Sequence, residues 1–348
     1  MDSLSQFALG AAVGQATLGR SLGRRALWWG GLLGTLPDLD VLIPMGGPMA
    51  DFTYHRSWSH SILVHAVVAP VFARLVLARA RQLGSTLSLR QAGWAIFFIF
   101  ATHAVLDAMT IYGTQLFWPI PMAPIGMGSV FIIDPLYTVP LLITILWAAF
   151  LRTEDGRQRV NRWGLRISSG YLIWSLVAQQ IALGEARRSL DAAGVRADPL
   201  VAIAAPLNTL SWRFVAIDGD RYLEGYTSLI DGAAPDWYAY PRERAAVAAI
   251  GEHEPVQRLQ WFTKGAWAAS VEDDDLIVAD LRMGLEPDYV FRFRVAERDA
   301  DGAWQAIPEE LERARFGVET LGWTWRRITT PEPKPGATPW IPEVDLGP

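Results

Sequence analysis

The sequence predicts an α-helical membrane bundle followed by a small α+β domain with an antiparallel sheet. Of its 348 residues, 51% are hydrophobic and 16 are tryptophan, which is high for a water-soluble chain. Residues 1–194 contain 15 arginines, no lysine and 10 acidic residues, whereas the remainder contains 16 basic and 26 acidic residues. Long apolar stretches occupy the first part, and short alternating segments the second. We therefore predict a transmembrane domain over 1–194, a soluble domain over 195–330 and a Pro-rich tail over 331–348.

About five stretches are apolar and long enough to cross roughly 30 Å of hydrocarbon. The predicted transmembrane helices cover residues 26–44, 61–78, 92–112, 129–151 and 167–184. Another apolar run, over residues 7–19, is too short to cross and predicts a short N-terminal helix. Gly10 and Gly14 have the small-xxx-small spacing that allows close helix packing. Ser3 and Gln6 match a capping box at the start of this helix.

The arginines predict the orientation of the spans. Arginine clusters near residues 20–25, 79–90 and 152–166 lie on one side of the membrane if there are five crossings, and positively charged loops face the cytoplasm. The connections 45–60 and 113–128 then lie outside. Because the number of crossings is odd, the soluble domain is also predicted to be external.

The second part of the sequence has the pattern of hairpins. Residues 212–217 and 221–230 flank an Asp-Gly-Asp turn, which predicts two paired strands. Residues 289–295 largely alternate between polar and apolar, and 276–283 is the predicted partner strand. The complete absence of cysteine excludes disulfides, thiolate metal ligands and cysteine nucleophiles.

Ionisable side chains are costly inside a membrane and usually face a cavity or one another. Eight such residues in the spans or the first external loop are candidates for a common site: Asp38 and Asp40, then His55, Arg56 and His60, then His103 and Asp107, and finally Asp134. At 1.5 Å per helical residue from the cytoplasmic ends, Asp38 and His103 lie roughly 17 Å deep and Asp107 about 23 Å deep. His103 and Asp107 are four residues apart and share a helix face. We therefore expect these residues to converge in the outer half of the membrane.

Imidazoles and carboxylates together suit a divalent cation such as zinc, manganese or magnesium. The predicted metal ligands are His55, His60, His103, Asp107 and Asp134. Asp38 and Asp40 are predicted to act as ligands or as the general base, and Arg56 to hold an anionic group of the substrate. Each residue also has a structural interpretation, since aspartates cap helices and loop histidines are often merely solvated. His65 is expected to pack within its span or to support the metal ligands, and His253 to lie in solvent.

The motifs resemble a bacterial inner-membrane family of metal-dependent hydrolases. Its pattern is Pro-Asp-x-Asp, then His-Arg-x-x-(Ser/Thr)-His-Ser, then His-x-x-x-Asp-x-x-Thr-x-x-Gly leading to Trp-Pro. This chain has the pattern at residues 37–40, 55–61, 103–113 and 118–119, and the similarity spans about residues 1–185. Many members have a histidine near the N-terminus, where this chain has Gln6. The resemblance implies a multi-pass protein of the bacterial cytoplasmic membrane with a divalent metal, zinc first among the candidates.

The leading hypothesis is a hydrolase that acts on a lipid-linked or membrane-proximal ester or phosphoester at the outer face of the membrane. The partner would be a membrane lipid or lipid-linked substrate. Nucleic-acid binding is not expected, because the soluble domain is acidic. Two alternatives remain at this stage: an ion or proton pathway built from the same buried groups, and a non-catalytic envelope scaffold.

Overall fold

The computed structural model describes residues 1–82, 84–312 and 318–341. The chain divides into two compact units. The first contains Met1–Pro44, Tyr54–Met127 and Phe131–Ser175, and the second contains Met45–Thr53, Gly128–Val130 and Leu176–Pro348. The first unit is helical, and the second contains the strands found among these described residues.

The helices, in chain order, are α1 (Ser3–Leu22), α2 (Arg25–Gly34), α3 (Pro48–Tyr54), α4 (Ile62–Gln82), α5 (Leu89–Met109), α6 (Pro135–Phe150), α7 (Glu154–Ala192), α8 (Arg244–Ala249), α9 (Glu254–Thr263) and α10 (Val318–Arg326). Two 3₁₀-helices, Pro37–Leu42 and Trp58–His60, lie before and after α3. We call them the first and the second 3₁₀-helix.

Helices α1 and α2 form a closely packed antiparallel pair. A Cβ atom added at Gly10 would lie 2.7 Å from the Cα of Gly34, and one added at Gly14 would lie 2.7 Å from the Cα of Gly30. The glycines thus allow the two backbones to touch, as their spacing suggests. The predicted short N-terminal helix is in fact 20 residues long, a length of about 30 Å.

The capping box predicted for α1 is wrong. The helix begins one residue earlier, and the side chain of Asp2 accepts hydrogen bonds from the backbone N–H groups of Leu4 and Ser5, both at 3.1 Å. Gln6 is fully buried and its side chain turns away from the helix start. Aspartate is as good an N-cap as serine, so the sequence pattern alone does not distinguish the two positions.

Two helices in the described part of the chain are long and apolar enough to cross a membrane: α4 and α5. The span predicted over 26–44 is interrupted, because α2 ends at Gly34 and the first 3₁₀-helix follows. Helix α6 is apolar but has only 16 residues, since it starts after its N-cap Asp134. The span predicted over 167–184 lies inside the 39-residue α7. The count of about five transmembrane helices therefore stays a prediction.

The second unit contains two four-stranded antiparallel sheets, with orders β1-β2-β3-β4 and β10-β9-β6-β5, and a two-stranded pair β7-β8. The strands are β1 (Leu200–Ala204), β2 (Ser211–Asp218), β3 (Arg221–Ser228), β4 (Asp236–Pro241), β5 (Trp267–Glu272), β6 (Asp275–Asp280), β7 (Gly284–Leu285), β8 (Asp288–Tyr289), β9 (Arg292–Arg298) and β10 (Trp304–Glu312).

The hairpin predictions for this unit are confirmed. Strands β2 and β3 pair through the predicted turn, with Asp218 opposite Arg221, and β6 pairs with β9. The prediction of one small sheet is incomplete, because the strands form two larger sheets. The tail is irregular from Pro331 to Ile341 but not loose, since Lys334 is buried and Trp340 donates its N–H to the Trp237 carbonyl at 2.7 Å. Residues 342–348 of the predicted tail lie outside the described residues.

Candidate metal centre

Four side chains of the first unit meet at one point. They are Asp38, His60, His103 and Asp107, and each offers a ligand atom within 4.8 Å of all the others. Three elements supply them: the first 3₁₀-helix, the end of the second, and the last turns of α5. Residues 65 positions apart in the sequence thus come together, as expected from their depths.

The distances between these atoms fit a cation at their centre. The two Nε2 atoms of His60 and His103 are 3.0 Å apart. The Asp107 Oδ2 atom lies 3.0 and 3.3 Å from these nitrogens, and the Asp38 Oδ1 atom 3.4 and 3.5 Å from them. In a tetrahedral site with bonds of about 2.1 Å, neighbouring ligand atoms are about 3.4 Å apart. The group therefore has the dimensions of a first coordination shell.

Neighbouring groups orient both imidazoles toward this centre. The Nδ1 atom of His103 lies 2.7 Å from the carbonyl oxygen of Gly34 at the end of α2, so the Nδ1–H group donates to that oxygen. The Nδ1 atom of His60 lies 2.9 Å from the Ser59 hydroxyl. A hydrogen bond at one ring nitrogen fixes the tautomer and leaves the other nitrogen free as a ligand.

Asp107 shows most directly that a cation fits. Its Oδ1 atom is satisfied by the Gln6 amide at 3.0 Å, the Arg56 guanidinium at 3.3 Å and the Met1 amino group. Its Oδ2 atom is buried and makes no hydrogen bond, although two imidazole nitrogens lie beside it. A buried, unsatisfied carboxylate oxygen costs free energy, and a divalent cation removes that cost. The four residues therefore fit a bound divalent metal.

Asp40 and His55 form a pair beside this group rather than within it. The Asp40 carboxylate accepts from the Nδ1–H of His55 at 2.8 Å, the backbone N–H of Arg56 at 3.1 Å and the Ser59 hydroxyl. Its Oδ2 atom lies 3.8 Å from the Nδ1 of His60. Asp40 thus shapes the loop that presents His60. The structure does not place His55 among the grouped ligand atoms.

The side chain of Arg56 is buried and makes its contacts inside the protein. It is 3% exposed, and its guanidinium contacts Asp107 and donates to the Thr110 hydroxyl at 3.2 Å. It also lies over the ring of Tyr112, 5.0 Å from the centroid. This arrangement orients Asp107, and it does not present an open fork to an anionic substrate, which was the predicted role of Arg56.

Asp134 lies outside the group of four. It is the N-cap of α6, where its side chain accepts the Leu136 N–H at 3.0 Å and the Tyr171 hydroxyl at 2.7 Å. Its carboxylate is therefore used by a helix start and a neighbouring tyrosine. The structure gives no support to its predicted role as a ligand.

Two supporting groups, the amide of Gln6 and the Gly34 carbonyl, were not assigned from the sequence, whereas His65 was expected to pack or to support the site. The Nε2 of His65 lies 2.7 Å from the Ser59 carbonyl, so its ring holds the loop before His60. Only Gln6 had a usable signal, because the related family often has a histidine near the N-terminus. The Gly34 carbonyl is a backbone group, and no side-chain pattern could identify it.

The fold and the site define a helical membrane protein with a buried His/Asp cluster suited to a divalent cation. Residues 1–182 match a family model described as YdjM inner membrane protein. This range covers more than half of the 348 residues and includes the whole cluster. The chain therefore belongs to the YdjM inner membrane protein family, which confirms the resemblance noted from the motifs. No curated protein and no solved structure matches the chain.

Proposed function

We propose that this protein is a membrane-bound, metal-dependent hydrolase of a lipid-linked or membrane-proximal ester or phosphoester. The observation that carries the proposal is the convergence of Asp38, His60, His103 and Asp107 at coordination distances, with a buried Asp107 oxygen left unsatisfied. Neutral imidazoles with carboxylates suit zinc best, and manganese or magnesium next. A divalent cation held there would supply Lewis acidity, which would polarise the scissile bond and lower the pKa of a bound water.

The residues around the cation have separate roles in this proposal. Asp38, His60, His103 and Asp107 hold the metal. Hydrolysis joins a water oxygen to the acyl or phosphoryl group and gives a proton to the leaving oxygen. His55 is suited to handle that proton, because its side chain is 20% exposed and Asp40 fixes its Nδ1. Asp40 positions His55, and Arg56 positions Asp107.

We also propose an orientation in the bacterial cytoplasmic membrane. Helix α1 runs antiparallel to α2 and begins beside Asp107, so its start lies on the same side as the site. The arginine-rich turns at residues 20–25, 79–90 and 152–166 would face the cytoplasm. This leaves the centre and the unit that follows α7 on the external side, whether or not α1 itself counts as a crossing.

Metal analysis and turnover of the purified full-length protein test the function. We expect about one divalent metal per chain and hydrolysis of a phospholipid or ester substrate that stops on chelation. His103→Ala and Asp107→Asn should each lower both the metal affinity and the turnover by 10²-fold or more (an order-of-magnitude estimate). His253→Ala, in the second unit, is the matched control and should change neither. A metal-free wild-type protein, or unchanged metal content in His103→Ala, would refute the proposal.

A further inference from the structure

The centre has one exposed edge. The side chains of His60, His103 and Asp107 are at most 1% exposed, whereas that of Asp38 is 19% exposed. His55, which lies on Asp40, is 20% exposed. A reactant therefore reaches the buried ligands past Asp38 and His55.

The first 3₁₀-helix places exposed apolar side chains around this edge of the centre. With three residues per turn, residues three apart lie on the same side. Pro37 and Asp40 are buried on one side, while Leu39 and Leu42 are 51% and 75% exposed on another. Asp38 shares its side with Val41, which is 69% exposed. One helix turn thus places a ligand directly beside an exposed apolar surface, which we call the apolar ledge (Leu39, Val41 and Leu42).

The element that carries the ledge is linked through the second 3₁₀-helix to α4, a candidate membrane span. The first 3₁₀-helix contacts the second, and the second contacts α4, which begins two residues after His60. Along this candidate span the exposed residues at four-residue spacing form one apolar face: Leu63, Val67, Val71 and Leu75. Trp58, which begins the second 3₁₀-helix and is 38% exposed, is a residue type typical of the head-group region. From these contacts we infer that the lipid which would cover α4 also reaches the ledge.

We propose that an acyl chain of a bilayer lipid lies on the apolar ledge and brings the ester or phosphoester linkage of that lipid to Asp38. This rests on the proposed function and narrows its substrate to lipid-linked compounds that enter sideways from the bilayer. Burial of large apolar side chains against an acyl chain is favourable. A water-soluble ester would leave the three ledge side chains without a counterpart.

Photo-labelling tests this without relying on turnover. The full-length protein is placed in nanodiscs of dioleoylphosphatidylcholine that contain a phosphatidylcholine with a diazirine on one acyl chain, close to its ester linkage. We expect labelling of the segment around the ledge to saturate at a low fraction of the probe. Labelling near Leu75 should instead rise in proportion to the probe, as for ordinary surrounding lipid. Proportional labelling at both places would overturn the inference.

Two variants sharpen the test. Replacing both exposed leucines (Leu39→Asn with Leu42→Asn) should lower the saturable labelling about tenfold, because two apolar contacts are lost. Leu75→Asn is the matched control, because the exposure of Leu75 (64%) lies between those of Leu39 and Leu42, and it should leave the saturable labelling unchanged. His103→Ala should keep the saturable labelling, since it removes only a metal ligand. Saturable labelling without turnover would refute the proposed hydrolase activity but support the lipid site. Turnover with proportional labelling would support the hydrolase activity but refute the lipid site.

Discussion

A single carboxylate connects the candidate centre to its supports. One oxygen of Asp107 faces the two imidazoles, and the other is held by Gln6 and Arg56. This division fixes the direction in which the free oxygen points. Groups that orient a ligand are as much a part of a metal site as the ligand itself, because they set its position before the metal arrives.

The role of Gln6 can be measured. Gln6→Leu removes the amide that donates to Asp107 at 3.0 Å while keeping the side chain close in size. We expect metal affinity to fall about 10- to 100-fold, because the carboxylate loses an orienting partner. Competition with a chelator of known affinity gives the measurement.

Gln15→Leu is the matched control, since Gln15 is buried on the same helix but donates to Glu154 instead. It should leave metal affinity within about twofold of the wild type, because it touches no part of the centre. Equal losses in the two variants would show that α1, and not the amide of Gln6, determines affinity.

At the scale of elements, the parts of the site that depend on local helix geometry could be predicted from the sequence. The spacing of His103 and Asp107 requires a shared helix face, and α5 provides it. The placing of Asp38 beside His60 followed from membrane depth and the motifs. The turn of Arg56 into the interior could not be predicted, because it depends on Asp107, a residue 51 positions away that the fold brings close.

The lengths of the first two helices were mispredicted for a related reason. Helix α1 contains glycine and glutamine, which lower its apparent hydropathy, but most of these residues face neighbouring helices and not lipid. The interruption after Gly34 was hidden because Pro37 begins a 3₁₀-helix within an otherwise apolar run. Mean hydropathy averages all residues of a segment, whether they face lipid or a neighbouring helix, and it does not record backbone packing.

The α1–α2 contact gives a prediction about stability. A Cβ atom at Gly30 would lie 2.8 Å from the Cα of Gly14 and still closer to the Gly10 carbonyl. Gly30→Ala should therefore force the helices apart and lower the free energy of unfolding by about 1–3 kcal/mol. The midpoint of thermal unfolding in detergent, followed by circular dichroism, measures the effect.

Gly93→Ala provides the contrast. Gly93 lies within α5, and its added Cβ would meet nothing within 4 Å. Because alanine favours a helix more than glycine does, this variant should be neutral or gain up to about 1 kcal/mol. A comparable loss in both variants would show that the glycine contact is not what makes Gly30→Ala unstable.

At the scale of the whole molecule, the proposed orientation can be tested in cells. The chain has no cysteine, so a single cysteine reports its own location without background. Ser85→Cys precedes α5 at the proposed cytoplasmic side, and Asp301→Cys lies in an exposed turn of the second unit. A membrane-impermeant maleimide should label intact spheroplasts of the second variant and label the first only after lysis. The opposite pattern would invert the orientation and place the centre on the cytoplasmic side.

The second unit contains a buried ion cluster of its own. Glu224 is fully buried and accepts from Arg213, from Tyr226 and Tyr289 at 2.8 and 2.7 Å, and from Lys334 at 2.9 Å. Burial alone would raise the pKa of Glu224, but the charges of Arg213 and Lys334 outweigh it and hold the pKa well below the ordinary 4.5. The tail thus contributes, through Lys334, to the interior of this unit.

This lowered pKa has a defined consequence for stability. A carboxylate with a lower pKa in the folded state stabilises fully above its ordinary value of 4.5 and loses that contribution as the pH falls below it. Glu224→Gln should therefore be less stable at pH 7 by about 3–5 kcal/mol, because two buried cations lose their counter-charge. It should also lose less stability than the wild type on acidification below pH 4.5. Urea unfolding at several pH values, with Asp301→Asn as an exposed control, measures both; parallel pH profiles would contradict the assignment.

Because the ring of His103 donates a hydrogen bond to the carbonyl of Gly34, the position of this carbonyl depends on the number of residues in α2. Each residue added to an α-helix turns everything beyond it by about 100°. An insertion between Arg25 and Gly34 would therefore swing that carbonyl away from the imidazole, even though no side chain of the cluster had changed. We therefore expect the metal centre to tolerate no insertion in α2, although the side chains of α2 contribute nothing to that centre. The exposed turn Asp299–Ala303, by contrast, should tolerate insertions.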